Sequence, residues 1–160
     1  MESIKICVLS DSHGNSEHMS RAISVERPNY IIFLGDGELD FEVIKKAYPN
    51  VHTIQVRGNC DIHSPVPAIQ KVVVGGKKFF ATHGHKFNVK HDLTFWELRH
   101  TAMEDDADIV LFGHTHTPFK DRSLGMEILN PGSISNSKNP SYGVVTISEG
   151  KIATQIKYLN

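Results

Sequence analysis

Short apolar runs alternate with amphipathic segments along the first third of the chain. Residues 4–9, 30–34 and 51–56 are branched apolar runs bounded by turn residues, which is the pattern of buried strands. Residues 16–27 and 41–48 carry apolar side chains at helical spacing, and the two segments stop before Pro28 and Pro49. This β-α-β-α-β order predicts a parallel sheet covered by helices, and therefore an α/β fold.

The second part of the chain has a different rhythm. Two strand-like runs, 69–74 and 77–81, are joined by Gly75-Gly76 and predict a β-hairpin. A helix is predicted over about 92–104, followed by strands over 108–112, 127–129, 144–147 and 152–158. The sequence contains no repeat and no low-complexity linker, so we expect a single domain over residues 1–160.

Composition narrows the class of protein. Apolar residues make up 39% and charged residues 22% of the 160 residues, as in globular proteins. Seventeen basic residues nearly balance eighteen acidic ones, which gives no general signature for nucleic-acid or membrane-surface binding. No leader precedes the first strand, no apolar run approaches the roughly 20 residues of a membrane span, and Cys7 and Cys60 suggest no disulfide framework. We therefore expect a cytoplasmic protein with free thiols.

Polar side chains that can bind metals follow five of the predicted strands. In open α/β sheets the carboxyl ends of the strands border the ligand-binding crevice, so five loops can converge there. Mixed carboxylate, imidazole and amide ligands suit Mn, Fe, Zn or Co better than an all-oxygen calcium cage. The candidate metal ligands are Asp11, His13, Asp36, Asn59, His83, His114 and His116.

The pairs Asp11-x-His13 and His114-x-His116 place two candidate ligands at alternate positions. Both side chains of such a pair can point the same way if the backbone is extended. Each piece also has a purely structural interpretation, since Asp36 or Asn59 could belong to a simple turn and His83 could be a core histidine. The joint occurrence of all five pieces at strand ends favours the metal site.

The ordered motifs Asp11-Ser12-His13, Gly35-Asp36, Gly58-Asn59-Cys60-Asp61, His83-Gly84-His85 and Gly113-His114-Thr115-His116 resemble the calcineurin-like metallophosphoesterase superfamily. Within it, the chain is similar to the small bacterial and archaeal phosphodiesterase branch, including the loop Asn130-Pro131-Gly132-Ser133. The resemblance implies a four-layer sandwich of two mixed β-sheets flanked by helices. It also implies a hydrolase that acts on phosphate esters, most plausibly phosphodiesters.

The resemblance further implies a ligand arrangement. Asp11, His13 and His116 would hold one divalent ion, Asn59, His83 and His114 a second, and Asp36 would bridge them. Two ions about 3.5–4 Å apart can clamp a phosphoryl group and lower the pKa of a bridging water, so that hydroxide is the nucleophile. Manganese is the expected metal, with Fe, Zn, Co or Ni as alternatives.

One position departs from the pattern of many family members. Cys60 stands where they have a histidine after the motif asparagine, and a thiol transfers protons poorly near neutral pH. The catalytic candidates are Asp36, Asn59 and His85, and the substrate-binding candidates are Asn59, Cys60 and His85. For His85 a packing role is an open alternative, and the Asn130 loop either shapes the pocket or only turns the chain.

Three other functions stay open at this point. A phosphomonoesterase or nucleotidase would use the same metals, and a non-catalytic scaffold like the retromer subunit of this fold would have lost several ligands, whereas all seven are present here. A nuclease fits less well because the chain lacks a strongly basic composition. The expected partner is a small phosphate ester, with no membrane association, and a homo-oligomer is left open.

Overall fold

The computed structural model describes residues 2–159, which form two five-stranded sheets with three helices. The helices are α1 (Ser16–Glu26), α2 (Glu38–Ala47) and α3 (Trp96–Glu104). The strands are β1 (Ile4–Leu9), β2 (Tyr30–Phe33), β3 (His52–Gln55), β4 (Ile69–Val74), β5 (Lys77–Thr82), β6 (Ile109–Leu111), β7 (Phe119–Ser123), β8 (Met126–Asn130), β9 (Ser141–Ser148) and β10 (Lys151–Tyr158).

Both sheets are mixed: the first has one antiparallel edge and the second has two. The first has the order β10-β9-β1-β2-β3, in which β1, β2 and β3 are parallel and β9 runs antiparallel to β1. The second has the order β4-β5-β6-β8-β7, in which β5, β6 and β8 are parallel. Its hairpin between β4 and β5 turns at Gly75 and Gly76, whose φ values of 58° and 78° match a type I′ turn.

Alternating side chains divide the interior into three apolar layers. The layer between the sheets contains Ile6 and Val8 of β1 together with Phe79 of β5 and Ile109 of β6. On the outer face of the first sheet, Cys7 and Leu9 pack with α1 and α2, and Phe80 and Val110 of the second sheet pack with α3. The order helix, sheet, sheet, helix confirms the predicted four-layer sandwich.

Three details differ from the sequence prediction. Strand β7 was not predicted, because its centre, Lys120 to Arg122, is polar and exposed on an edge of the sheet and carries no apolar alternation. Helix α2 begins at Glu38, three residues before the predicted start at 41. Helix α3 begins at Trp96, because Phe95 has a left-handed φ of 55° and the preceding residues form a turn in which Asp92 accepts the Thr94 N–H.

Within residues 2–159, none of the helices has the length and apolar character that crossing a bilayer requires.

Candidate metal centre

Loops at the carboxyl ends of the central strands of both sheets meet at one edge of the sandwich. Asp11 and His13 follow β1, and Asp36 follows β2. His83 follows β5 in the opposite sheet, and the segment after β6 carries His114 and His116. The site therefore depends on the packing of the two sheets, because neither sheet alone carries the whole set.

One group of candidate ligands consists of Asp11, His13 and His116. The Nε2 atoms of His116 and His13 lie 3.1 and 3.6 Å from Asp11 Oδ1. The donor atoms of the three residues all lie within 4.8 Å of one another, which is close enough for a single cation.

A second group consists of Asp36, His83 and His114. His83 Nε2 lies 3.3 Å from Asp36 Oδ2 and 3.1 Å from His114 Nδ1. Asp36 Oδ2 also lies 3.8 Å from His13 Nε2, so the Asp36 carboxylate stands between the two groups. This is where a carboxylate shared by two ions would be placed.

Asn59 is placed differently from the other six predicted ligands. Its side chain is exposed and its amide donates to Cys60 Sγ at 3.6 Å. The loop itself is tied to the site, because the Cys60 backbone N–H donates to Asp36 Oδ1 at 2.8 Å. Cys60 also groups with His13 and Asp36 as a candidate ligand set, although its thiol was predicted only to line the pocket.

The atoms at the centre of the site fit a divalent cation. Asp11 Oδ1 is buried and has no hydrogen-bond partner within residues 2–159, while three imidazole Nε2 atoms, those of His116, His13 and His83, face it within 3.8 Å. A buried carboxylate oxygen without a partner is costly unless a cation compensates it. The other oxygen, Asp11 Oδ2, accepts hydrogen bonds from Ser10 Oγ and from the His114 N–H, and these hold the carboxylate in place.

The orientation of His83 is fixed from behind. Its Nδ1–H donates to the Leu34 carbonyl at 2.7 Å, which leaves Nε2 free to face Asp36. Histidine ligands of metals usually have such a partner, since it selects the tautomer and aims the ring. The side chain is fully buried and lies at the interface between the two sheets.

The charges within the site support one another. Burial alone would raise the pKa of Asp36, but the His83 ring and the Cys60 N–H hold that pKa well below its usual range. Burial would likewise lower the pKa of His83, but Asp36 and Asp11 raise it. For His114, burial and the neighbouring charge of His83 lower the pKa to about 4, so its ring is neutral at neutral pH and has a lone pair to offer.

The backbone at the candidate ligands is left-handed rather than extended. The φ values of Asp11, His13, His114 and His116 are 55°, 38°, 69° and 61°, and that of Asp36 is 63°. The extended backbone on which the alignment of the two x-separated pairs depended is therefore not present. Non-glycine residues held in this region cost on the order of 1–3 kcal/mol each, and such strain clusters at functional sites.

Asp61 is a structural residue of the site that the sequence did not reveal. Its Oδ1 accepts the backbone N–H groups of Gly37 and Glu38, and its Oδ2 accepts those of Asp36 and Gly58. The four bonds measure 2.7–3.1 Å: three of them join the segment after β2 to the loop after β3, and the one from Gly58 lies within the loop after β3. Asp61 thus positions Asp36 without pointing at the candidate ions.

The Asn130 loop holds two other loops of the site, which decides between the two roles left open for it. Asn130 is fully buried, and its Nδ2 donates to the Gly113 carbonyl and to Thr115 Oγ1. Ser133 Oγ donates to the Asp11 carbonyl at 2.8 Å. The loop therefore fixes the segments that carry Asp11, His114 and His116, and its part in the pocket is to position them.

His85 lies next to the second group of ligands. Its ring centroid is 5.5 Å from that of His83 and 6.2 Å from that of His114. Its Nδ1 is buried and has no hydrogen-bond partner among the described residues. Burial and the neighbouring His83 lower the pKa of His85, so the ring is neutral at neutral pH.

Comparison with known proteins identifies the family. The model of the calcineurin-like phosphoesterase superfamily domain matches residues 4–150, and the chain belongs to this superfamily. This confirms the resemblance found in the motifs and the prediction of a hydrolase that acts on phosphate esters.

Individual relatives agree with this assignment. The chain is 28% identical to phosphodiesterase YfcE of Escherichia coli K12 over 169 aligned residues, which cover 89% of the chain and 87% of the relative. A predicted phosphoesterase from Streptococcus pneumoniae superimposes with a TM-score of 0.81 at 29% identity, covering 99% and 91% of the two chains. Zinc-bound Vps29 of Entamoeba histolytica has a TM-score of 0.73 at 19% identity, with 98% and 100% covered, and shares the fold.

Proposed function

We propose that this protein is a phosphodiesterase that hydrolyses its substrate with two divalent ions, Mn²⁺ being the expected metal. The observation that carries the proposal is the position of Asp36 between the two ligand groups, together with the unpartnered buried oxygen of Asp11 facing three imidazoles. The name of the relative YfcE supports a diester as the substrate.

The seven predicted residues would hold the ions, with Asp11, His13 and His116 on one side, Asn59, His83 and His114 on the other, and Asp36 shared. Asn59 would have to turn its amide from Cys60 toward the site, which its exposure permits. Two such ions, when bound, polarise the phosphoryl oxygens and lower the pKa of a water molecule between them.

Two further side chains would act on the substrate rather than on the metals. His85 is neutral at neutral pH, so we assign it a hydrogen bond to a phosphoryl oxygen rather than delivery of a proton. Burial and the nearby Asp36 raise the pKa of Cys60, so its thiol stays protonated and is at most a weak donor to the ester oxygen. Efficient hydrolysis is therefore expected for esters whose leaving groups need little protonation.

The test is a matrix of metals and substrates on purified protein, with bis(p-nitrophenyl) phosphate as the diester and p-nitrophenyl phosphate as the monoester. Chelation should abolish turnover and Mn²⁺ should restore it. Asp36→Asn should lower kcat/KM at least about a hundredfold, because it weakens the contact shared by both ions. The matched control Asp121→Asn, at an exposed ion pair with Arg99, should behave as wild type.

Turnover that survives in metal-stripped protein would overturn the proposal. A preference for the monoester would establish the phosphomonoesterase or nucleotidase alternative instead.

A binding scaffold is the second candidate function, and the Vps29-like fold supports it. It predicts metal binding without turnover of any ester in the matrix. The presence of ligand-type side chains at all seven positions favours the enzyme.

One apolar layer shared by both sheets supports our further proposal that the chain acts as a single domain.

A further inference from the structure

A groove opens beside the candidate metal centre, and His13 and Asp36 form its inner end. Its volume of about 480 Å³ lies within the range of sites that hold small organic ligands. Because two candidate metal ligands line it, a group bound in this groove would lie beside a phosphoryl group held at the centre. The groove therefore faces an ester group of the substrate.

The outer walls of the groove carry large apolar side chains that face solvent. Leu39, in the first turn of α2, is 82% exposed, and Ile62, in the loop after β3, is 74% exposed. Leu39 directly follows Glu38, and Ile62 directly follows Asp61. The Asp61 carboxylate accepts the N–H groups of Asp36 and Glu38, so both positions are held beside the centre. Covering such side chains with an apolar ligand surface is favourable.

The remaining wall is negatively charged. Glu38, Asp40 and Asp61 line the groove, and no lysine or arginine is among the residues that line it. Asp40 and Asp61 accept hydrogen bonds from Ser12 and from backbone N–H groups, which hold both carboxylates in place beside the groove. Glu38 makes no ion pair among residues 2–159, so its charge is free to act on a ligand.

We propose that this groove binds the organic group of the diester and selects uncharged groups with an apolar face over anionic ones. The proposal rests on the phosphodiesterase function proposed above and names its substrate class. The phosphoryl group itself is drawn to the cationic centre, whereas a second anionic group would meet three carboxylates and two apolar side chains. Nucleotide polyphosphates and other esters with additional phosphates are thereby disfavoured.

The test compares two diesters with the same nitrophenolate leaving group, p-nitrophenyl benzyl phosphate and its 4-carboxybenzyl analogue. Wild type should hydrolyse the benzyl ester, whose organic group is uncharged, with a kcat/KM about fivefold or more above that of the carboxylated ester, as expected for partly screened charge repulsion. Glu38→Lys should remove most of this preference. Glu17→Lys, in the first turn of α1 and outside the groove, is the matched charge control and should keep it.

The apolar wall is tested with Ile62→Lys, which should raise KM for p-nitrophenyl benzyl phosphate about three- to tenfold through lost apolar contact. Val25→Lys is the matched control, because Val25 is 69% exposed toward the far end of α1. Equal preference for both esters in wild type, or groove variants indistinguishable from their controls, would overturn the proposal.

A binding measurement separates this proposal from the proposed function. Calorimetry with diphenylphosphinate and its 4-carboxyphenyl analogue, which have no ester bond to hydrolyse, reports selection by the groove in Mn²⁺-loaded protein. Selective binding of diphenylphosphinate over its carboxylated analogue, without turnover of any diester, would support the groove and refute the phosphodiesterase. Turnover of diesters without selection among the phosphinates would refute the groove alone.

Discussion

Asp61 should be as important to the metal centre as a ligand, although it contacts none of the candidate ions. Each of its carboxylate oxygens accepts two backbone N–H groups, those of Gly37 and Glu38 on Oδ1 and those of Asp36 and Gly58 on Oδ2. Asparagine has only one oxygen, so in either orientation of the amide two of the four N–H groups would face an NH₂ group. Each backbone N–H group left without an acceptor costs about 1–2 kcal/mol, so Asp61→Asn should lower the free energy of unfolding by roughly 2–4 kcal/mol.

The assay is urea unfolding, followed by Mn²⁺ titration and turnover of bis(p-nitrophenyl) phosphate. A loss of roughly 2–4 kcal/mol in the free energy of unfolding would also lower the thermal midpoint, Tm, by about 5–15 °C in a chain of this length. Because Asp36 shares the broken network, Mn²⁺ affinity and kcat/KM should each fall at least about tenfold, as for other residues that orient metal ligands.

Asp92→Asn is the matched control for this substitution. Asp92 is half-buried and accepts the N–H and the Oγ1–H of Thr94 on a single oxygen, which asparagine can replace. If Asp61→Asn unfolds like Asp92→Asn, the network does not stabilise the fold. If it is destabilised but retains full Mn²⁺ affinity and turnover, Asp61 does not position Asp36.

Three shorter predictions concern other parts of the molecule. Gly113→Ala should weaken Mn²⁺ binding at least about tenfold in a titration, because its Cβ would overlap Asp11 Oδ2, and unchanged affinity would contradict the close approach. Cys60→Ala should keep kcat/KM for bis(p-nitrophenyl) phosphate within about tenfold of wild type. Cys60→His should raise kcat/KM more for esters with poor leaving groups than for activated esters. A collapse of kcat/KM in Cys60→Ala with its metals bound would show direct catalysis by Cys60. Burial would raise the pKa of Glu26, but its hydrogen bonds, with Lys157 among the donors, lower that pKa. The Glu26 carboxylate therefore stabilises the fold above the ordinary glutamate pKa, and this stabilisation is lost as pH falls through the lowered pKa. Glu26→Gln should unfold more easily than wild type at pH 7 and approach wild type in acid, whereas a pH-independent difference would refute the ion pair.

The local pattern of the sequence determined the strands and the places where chemistry could occur. Strands such as β1 and β6 are buried on both faces, so they must be continuous apolar runs, and such runs are visible without a structure. The residues after them were identified as candidate ligands because parallel strands deliver their carboxyl ends to one edge. Six of the seven lie in two groups whose donor atoms are within 4.8 Å of one another, and their role as metal ligands stays a prediction.

Only the tertiary structure decided how these residues are held. The left-handed backbone of the five strained ligands is stable because neighbouring loops over-determine it, since the mild preference of Asp and His for this region is too weak to encode it. The roles of Asp61 and Asn130 depend on hydrogen bonds to loops distant in sequence, and β7 is a polar edge strand that exists because β8 offers it a partner. Such features arise from long-range contacts, whereas a sequence pattern reports only which face of each element is buried.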